Sequence, residues 1–461
     1  MRPPLICCLM ALLSTVRPVY AHGAIQQEET SVPPASKSTA EPPKLLAEPD
    51  RPLDGRISAE KLTEYDPPPL PERVIIPLPP TFRIASDPSQ VPISGEHFEK
   101  ARAAIRRGLA FLREAQDENG GWMTDIMAAP TDVPDRPSPI AAAVTALALK
   151  AIMQAEPQTR NDPPVRRAIR FLKSAQRTDG GFEGAALTNY VTSVVVSALA
   201  AFEGNEFEDD VTDGTTWLQA NQWDQGEGLS ARQDWFGGAG YGDQGRPDLS
   251  NTQMMLDALY DAGLSPDEPA FQRALAFVSR AQNLRATNKA AWSGNDGGFI
   301  YTPANGGESM ASESAGEGRR GEKLPAEQPR SLRSYGSMTY AGFKSMLYAG
   351  LAPDDIRVRA AFDWIRRHWT FDENPGLGGQ GLYYYYHTIS RALYVAQQDR
   401  ITDKAGEEHN WREELIDALA ARQREDGSWC NESDRWLEGH PVLATVYSTL
   451  SLEEGLKPTT R

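Results

Sequence analysis

The chain has 461 residues, of which 40% are hydrophobic, and a formal net charge of −16 at pH 7. This hydrophobic content supports a large core, and the length allows two or three ordinary domains or one large domain built from repeats. The negative charge argues against nucleic acid or an anionic membrane surface as the main partner. The sequence has no zinc-finger spacing, Walker loop or dinucleotide fingerprint.

The first residues have the pattern of a cleaved export signal. An apolar run from Leu5 to Val16 is followed by Val19-Tyr20-Ala21, and the run is too short to span a bilayer. We therefore predict an export signal peptide over residues 1–21 and an exported protein, in the periplasm, the cell envelope or outside the cell. An uncleaved anchor, with peripheral association with a membrane, is the alternative.

Residues 22–95 are rich in Pro and Glu, with stretches such as YDPPPLPERVIIPLPP. Such a composition buries too little apolar surface to offset the entropy of ordering the chain. We predict that this segment is a disordered linker that tethers the folded part. Once the signal is removed, only Cys430 remains, so the sequence predicts no intramolecular disulfide.

From Phe98 onward one unit recurs in six copies, for example FLREAQDENGGW, FLKSAQRTDGGF and ALAARQREDGSW. Each copy ends an amphipathic helix, and a second helix follows that is apolar or small on all sides, such as VTSVVVSALAAF. A helix without a charged face is surrounded by other helices. The pattern predicts an all-α fold of six helical hairpins, with polar-faced outer helices and buried inner ones. The glutamines that share one place in the unit are Gln116, Gln176, Gln222, Gln282 and Gln423, and Trp369 takes that place in the fifth copy.

The motif of an aromatic-Leu pair, three residues, Gln and then Gly-Gly-aromatic resembles the QW-type repeat of squalene cyclases and protein prenyltransferase beta subunits. The resemblance covers about residues 98–456. It implies that residues 96–461 form an α6/α6 toroid, with a polar insertion at about 303–331. It also implies that the inner-helix N-termini surround a central apolar cavity and that the repeat Gln and Trp residues are structural.

The stretch PDLSNTQMMLDAL begins the third inner helix. It resembles the P-D-x-D-D-T-A motif of squalene-hopene cyclases, whose middle Asp protonates the substrate alkene. Asp248 and Thr252 match this motif, but Ser250 and Asn251 replace the two acids. A hydroxyl cannot protonate an alkene, which needs a strong acid held protonated in an apolar pocket. The cyclase acid pair is therefore missing, and the sequence leaves open whether the protein is an enzyme.

The resemblance to prenyltransferases implies a second role for the same helix start. In that family an Asp-x-Cys pair and a later His hold zinc; here Asp248 and His387 match, while Ser250 stands at the Cys position. A zinc site at Asp248 and His387 would lack a third protein ligand. The structural alternative is a capping box from Ser250 to Gln253, with Asp248 favouring the positive end of the helix dipole.

A fourth inner helix begins near Arg333 and Tyr335, where backbone N–H groups attract anions. With Tyr340 and Tyr383 on neighbouring helices, these residues could bind an anionic head group over an aromatic wall, as in a prenyl diphosphate or another amphipathic lipid. The alternative is that the tyrosines pack the core. In the run Tyr383 to Tyr386, only one or two side chains can face a cavity, because consecutive helical positions point in different directions.

Two functions from different classes follow. In the first, the protein binds or transforms a terpenoid, isoprenoid or other amphipathic lipid. Asp248, His387 and Tyr335 are then the candidate catalytic residues, and Ser250, Asn251, Arg333, Tyr340 and Tyr383 the candidate ligand-binding residues. In the second, a non-catalytic toroid scaffold binds protein or glycan at its rim. An open cavity at the inner-helix N-termini would favour the first, and a ring filled by tyrosines the second.

Two further patterns in the sequence offer other functions, a glycan-cleaving site and a second metal site. Glycan-cleaving toroids use two carboxylates across a cleft, and four aspartates fall on one predicted rim: Asp243, Asp248, Asp296 and Asp372. Cys430, Asp434 and His440 lie within eleven residues, but their spacing matches no standard zinc site, and His440 can simply begin the last inner helix. The sequence does not fix the oligomeric state.

Overall fold

A computed structural model describes residue 64 and residues 82–126, 137–182, 187–242, 245–304 and 332–459. The predicted export signal and residues 305–331 of the predicted insertion lie outside these ranges. Within them the chain forms twelve α-helices and one short β-hairpin, which confirms the all-α class. The helices are α1 (Gly95–Glu114), α2 (Pro139–Ala155), α3 (Pro163–Ser174), α4 (Thr188–Ala200), α5 (Glu208–Ala220), α6 (Leu249–Asp261), α7 (Pro269–Ala281), α8 (Gly336–Tyr348), α9 (Ile356–Arg367), α10 (Leu382–Val395), α11 (Trp411–Arg422) and α12 (Pro441–Gly455). The hairpin pairs β1 (Arg400–Thr402) with β2 (Glu408–Asn410) in antiparallel register.

Odd-numbered and even-numbered helices differ in burial, as their sequences predict. In α3 one face is buried, including Val165, Ile169 and Leu172, and Arg170 on the other face is exposed. In α2 every residue from Pro139 to Gln154 is buried. A helix with one apolar face needs packing partners on that face only, whereas a helix that is apolar on all sides needs partners all round. The odd helices are therefore the outer ones, and the even helices are the inner ones.

The inner helices pack against one another in the cyclic order α2, α4, α6, α8, α10, α12 and back to α2. The outer helices pack on the inner ones, and α11 also packs on α1, so the first and last hairpins are neighbours. No helix in the described ranges is long and apolar enough to cross a membrane.

The repeat glutamines join neighbouring hairpins. The Gln116 Nε2 donates to Gly120 O in its own loop (2.9 Å) and to Pro164 O in α3 (3.0 Å). The Gln423 Nε2 donates in the same way to Gly427 O and to Ala104 O in α1, both at 2.9 Å, and so closes the ring. Gln222 and Gln282 make the matching pair of bonds, whereas Gln176 donates to the Asp210 side chain. The glutamines are therefore structural, as the resemblance implied.

Glycine is required in these loops for two reasons. Gly427 has φ +88°, a left-handed conformation that L side chains rarely adopt. A Cβ at this position would also lie 2.5 Å from the Arg107 carbonyl oxygen. The glycine thus allows the loop of the last hairpin to touch the backbone of α1.

Residues 82–94, at the end of the predicted linker, pack on the helical domain. Ala85 and Val91 are buried, and the Ala85 N–H donates to Leu456 O after α12 (2.8 Å). The Ser94 Oγ then caps α1 by accepting from the His97 N–H (3.2 Å). The packed part of the chain therefore starts before the predicted boundary at residue 96, because the apolar residues of this segment bind along the end of the ring.

Ion pairs connect the C-terminal ends of the inner helices. Arg391 in α10 contacts Asp261 in α6 and Glu454 in α12, the latter at 3.1 Å. Lys150 in α2 lies 2.6 Å from Asp261. All four side chains are nearly or fully buried, and such charges need partners to offset their lost hydration. Since these residues all lie late in their helices, the inner helices run parallel.

Candidate site at the inner-helix N-termini

A small cavity lies at the N-terminal end of the inner ring, where the resemblance predicts a large apolar one. Its volume is about 20 Å³, which is room for about one water molecule. Large side chains from several inner helices and loops fill the space around it. Among the described residues, the space at this place is therefore much smaller than the open cavity that the resemblance implies. The residues that line the remaining space are Tyr190, Tyr241, Ser250, Tyr384, Trp436, Glu438 and Tyr447.

The tyrosine hydroxyls at the cavity bind one another and the start of α6. Tyr384 OH lies 3.0 Å from Ser250 Oγ and accepts a bond from the Gln253 Nε2 at 3.0 Å. Tyr190 OH lies 3.2 Å from Tyr447 OH, and the Tyr384 and Tyr447 rings pack edge to face at 5.8 Å. Burial raises the pKa of Tyr190 to about 12. The tyrosine hydroxyls named here are thus neutral groups that bind one another or α6.

Asp248 is the N-cap of α6. Its Oδ1 accepts from the Asn251 N–H (2.8 Å), and its Oδ2 accepts from the Asn251 Nδ2 (2.9 Å). The capping interpretation therefore describes this stretch, but the predicted box from Ser250 to Gln253 is wrong. The cap is two residues earlier, at Asp248, and Ser250 and Gln253 instead bind Tyr384 inside the ring.

Asp248 is connected to the cavity by hydrogen bonds through two tyrosines. Its side chain bonds to Tyr301, whose hydroxyl lies 2.6 Å from that of Tyr241 at the cavity. Burial raises the pKa of Asp248 to about 7, although the bonds from Asn251 lower it. The carboxyl group is therefore held partly protonated near neutral pH, in the manner of a tuned acid.

Glu438, which the sequence reasoning missed, is a second buried acid at the cavity. Its carboxylate accepts from the N–H groups of Tyr383 (3.2 Å) and Tyr384 (2.7 Å) and from the Asn431 Nδ2 (2.7 Å). Burial raises the pKa of Glu438 to about 7. Gly381, at the cap position of α10, has no side chain to offer these N–H groups. A glycine at the start of an inner helix leaves the first N–H groups of that helix without a side-chain cap of its own. Gly381 was therefore the sequence signal that a residue from another part of the chain caps α10.

His387 and Asp248 do not form the predicted metal pair. His387 stacks on Tyr447 with ring centroids 5.6 Å apart, and its strongest charged neighbours are Lys344 and Asp257. Burial, assisted by Lys344, lowers the pKa of His387 to about 3. Asp248 is instead surrounded by Asn251, Tyr301 and Arg246. Neither residue belongs to a cluster of three or more metal-binding side chains in the described chain, so these residues do not fit zinc.

The predicted anionic mouth near α8 is not assembled at the cavity. Tyr335 is buried at the N-cap position of α8, and Tyr340 packs edge to face on Tyr385 at 5.8 Å. Arg333 is half-buried just before them. None of these three residues lines the cavity. For Tyr340 the core-packing alternative holds, because its ring is 1% exposed.

The tyrosine run on α10 divides as helix geometry predicts. The Tyr383 OH donates to Cys430 O (3.3 Å), and the Tyr385 OH donates to Thr370 O (2.9 Å). Tyr386 OH bonds to Phe371 O. Of the four, Tyr384 alone lines the cavity among the described residues.

Neither the glycan-cleaving carboxylate pair nor a metal site at the last helical hairpin is assembled among the described residues. The Asp296 Oδ1 accepts from Gly298 N and Ser334 Oγ, both at 2.9 Å, and the Asp372 side chain is 96% exposed. Asp243 lies outside the described residues. His440 caps α12 through a bond from the Val442 N–H (3.3 Å), and the Cys430 Sγ bonds to Gly439 O (3.1 Å).

A larger cavity opens at the opposite end of the molecule, which we call the rim pocket. It has a volume of about 440 Å³ and lies between residues 83–86, α1, the end of α2 and Glu203. Arg102 Nη1 donates to Ser86 O (3.4 Å), and Arg83 forms an ion pair with Glu203. Gln154 donates from Nε2 to the Glu453 carboxyl (2.7 Å) at its base. Its lining residues are Arg83, Ile84, Ala85, Ser86, Arg102, Gln154, Ala155, Pro157, Gln158 and Glu203.

Comparison with known proteins gives a family match over part of the chain. Residues 131–300 match the squalene-hopene cyclase C-terminal domain family. This match confirms the resemblance to squalene cyclases on which the sequence interpretation rests. No curated protein matches the chain.

Among solved structures, the chain is similar to several helical proteins of low sequence identity. The type II terpene cyclase MstE from Scytonema has TM-score 0.44 and 14% identity, covering 77% of this chain and 97% of that one. A D-mannose isomerase has TM-score 0.46 and 11% identity, covering 78% and 99%. An alpha-amylase from Clostridium perfringens has TM-score 0.46 and 8% identity, covering 76% and 97%.

Proposed function

We propose that this protein is an exported α6/α6 toroid of the squalene-cyclase type that acts as a binding scaffold. Its ligand, a protein or a glycan, binds at the rim pocket and not in the centre of the ring. The observation that carries the proposal is the contrast between the two cavities, about 440 Å³ at the rim and about 20 Å³ at the inner-helix N-termini. Sites for drug-sized ligands occupy about 300–1,000 Å³.

The centre is unsuited to a large ligand because its tyrosine hydroxyls already bind within the ring, although the buried Trp436 Nε1 has no hydrogen-bond partner in the described chain. Tyr384, Tyr190 and Tyr447 hold hydroxyl bonds within the ring, and Glu438 caps α10. A terpenoid entering this space would have to displace packed aromatic rings and leave buried donors and acceptors without partners. Each such orphaned group costs about 1–3 kcal/mol.

The rim pocket offers groups that recognise polar ligands. Arg102 and Arg83 present guanidinium groups with several N–H donors, and Glu203 presents a carboxylate. At the base, the Gln154 Oε1 is buried and has no hydrogen-bond partner in the described chain. Apolar surface from Ile84, Ala155 and Pro157 completes the lining. Backbone amides or sugar hydroxyls match this mixture, whereas a long hydrocarbon chain does not.

The test compares rim and outer-wall variants of equal charge change. Arg102→Glu changes the rim pocket, and Arg170→Glu changes an exposed position on the outer helix α3. A glycan array and cross-linking mass spectrometry in a cell-envelope extract would report ligands of the wild type. We expect the ligand seen with wild type to be lost with Arg102→Glu and kept with Arg170→Glu. Equal binding by both variants would contradict a ligand at the rim pocket.

A second candidate function, the binding or transformation of a terpenoid or other amphipathic lipid, is favoured by the family match over residues 131–300. Two acids also stand beside the tyrosine cavity with pKa values near 7, Asp248 and Glu438. An acid kept protonated in an apolar pocket is what alkene protonation requires. This function needs Tyr384 and Tyr447 to move apart and enlarge the cavity.

Squalene and geranylgeraniol are suitable probes for the second function. If the ring opens, native mass spectrometry will detect a one-to-one adduct with one of them, and Asp248→Asn will change the products or abolish turnover. An absence of adduct and of product would leave the scaffold as the function.

A further inference from the structure

The β-hairpin between α10 and α11 places three metal-binding side chains together, none of which lines the tyrosine cavity. Asp403, Glu407 and His409 each offer one ligand atom, and these atoms all lie within 4.8 Å of one another. The turn is fixed by its backbone: Asp403 N donates to Glu407 O, and Glu407 N donates to Asp403 Oδ1, both at 2.9 Å. The hairpin thus holds two carboxylates and an imidazole on one short, hydrogen-bonded segment.

The orientation of His409 is set from outside the cluster. His409 Nδ1 lies 2.8 Å from Glu414 Oε1 in α11, and Trp369 Nε1 donates to the other oxygen of Glu414 at 2.9 Å. Because a carboxylate accepts, Nδ1 donates its hydrogen to Glu414. Nε2 is then the ring nitrogen that faces the hairpin acids. An imidazole oriented by a carboxylate on its other nitrogen is typical of metal-ligating histidines.

His409 Nε2 is buried, has no hydrogen-bond partner in the described chain, and lies 3.6 Å from Asp403 Oδ2. The imidazole nitrogen and a carboxylate oxygen therefore face each other at a separation longer than a hydrogen bond. The Glu407 carboxylate adds a second negative group to the same space. A cation placed among the three atoms would bind both carboxylates and the imidazole nitrogen at once.

We propose that Asp403, Glu407 and His409 bind a divalent cation and that Zn²⁺ is the metal they fit best. One imidazole nitrogen and two carboxylate oxygens are a donor set that zinc accepts, with water as the fourth ligand. Glu407 is exposed and the other two residues are half-buried, so an ion can enter from solvent. Ca²⁺ prefers six to eight oxygen ligands, so the imidazole disfavours it.

The bound ion would fasten the hairpin to the outer wall. The hairpin already contacts α9, where the Lys404 Nζ donates to Asp363 (2.7 Å) and the Lys404 N–H donates to Arg366 O (3.1 Å). Through His409 and Glu414 the ion would also connect the hairpin to α11. The site is therefore structural in kind and independent of any ligand at the rim or in the ring.

The test uses the untagged full chain, stripped with EDTA and titrated calorimetrically with ZnCl₂ and, separately, CaCl₂. We expect one zinc ion per chain, weaker or absent calcium binding, and loss of zinc binding in His409→Gln. Glu414→Gln, which removes the positioning carboxylate, should weaken zinc binding by about 10- to 100-fold.

His97→Gln is the matched control, since His97 also lies between two acids, Glu413 (3.5 Å) and Asp417 (3.3 Å). Zinc binding should be unchanged in this variant. The competing arrangement is a protonated His409 bridging Asp403 and Glu414, which nitrogen NMR of the imidazole distinguishes from a zinc-bound neutral ring. Zinc binding that survives His409→Gln, or an imidazolium signal at pH 8 in the presence of zinc, would overturn the proposal.

Discussion

Removing the Tyr447 ring should destabilise the fold strongly, because the ring is core packing. Tyr447 is 4% exposed, packs edge to face on Tyr384 at 5.8 Å and stacks on His387 at 5.6 Å. Truncation of a large buried aromatic residue to alanine costs about 3–5 kcal/mol, and each aromatic pair adds about 0.5–1.5 kcal/mol. The truncation cost already contains these pairs, so we expect Tyr447→Ala to lower the free energy of unfolding by about 3–5 kcal/mol.

Tyr447→Phe separates packing from hydrogen bonding. It keeps both ring contacts and loses the hydroxyl bond to Tyr190 at 3.2 Å, so it should cost only about 1 kcal/mol. Urea unfolding followed by tryptophan fluorescence and far-ultraviolet circular dichroism measures both variants, and coincident transitions justify a two-state treatment. If Tyr447→Ala lowers the free energy of unfolding by less than about 1 kcal/mol, the Tyr447 ring is not core packing and the reasoning is refuted. The ring would then border space that is open to a ligand.

Three further predictions concern the ring closure and the buried acid and histidine. Gln423→Ala removes the bonds to Ala104 O and Gly427 O and should lower the free energy of unfolding by about 2 kcal/mol; the exposed Gln398→Ala is its control, and equal stability of the two would contradict the closing role. Burial raises the pKa of Glu438 from its ordinary value of 4.5 to about 7. Between these two pH values the folded state keeps a proton on this carboxyl group that the unfolded state has lost. This carboxyl group therefore lowers the free energy of unfolding as the pH rises from about 4.5 to 7. Urea unfolding across this range should therefore show Glu438→Gln gaining up to about 3 kcal/mol relative to wild type, and a constant difference would disprove the shift. With its pKa lowered to about 3, His387 should remain neutral to pH 4 in imidazole NMR, and titration near pH 6.5 would show that water fills the ring.

The repeat pattern predicted the helices because it reports burial directly. A polar-faced helix such as α3 and a wholly apolar helix such as α2 differ in the spacing of their charges, and the structure buries them accordingly. The glutamines were equally predictable, because an amide that recurs before a glycine pair marks one repeated contact. Gln116 and Gln423 make that contact at opposite ends of the chain.

The centre of the ring was less predictable, because it depends on the directions of single side chains. The polar cluster at α6 was visible in the sequence, but the choice between Asp248 and Ser250 as the cap depends on where the helix starts to within two residues. Glu438 was missed because it caps α10 from a loop more than 50 residues away in sequence. The filling of the cavity depends on Tyr190, Tyr384 and Tyr447 pointing to one axis from three helices, which no local pattern encodes.

Native mass spectrometry of the full chain, incubated with squalene and with geranylgeraniol, tests most directly whether the centre of the ring is filled. We expect an unchanged protein mass for wild type, because about 20 Å³ admits a water molecule and not a polyene. A one-to-one adduct with wild type that Tyr447→Trp abolishes would contradict it and would place the ligand among the tyrosines.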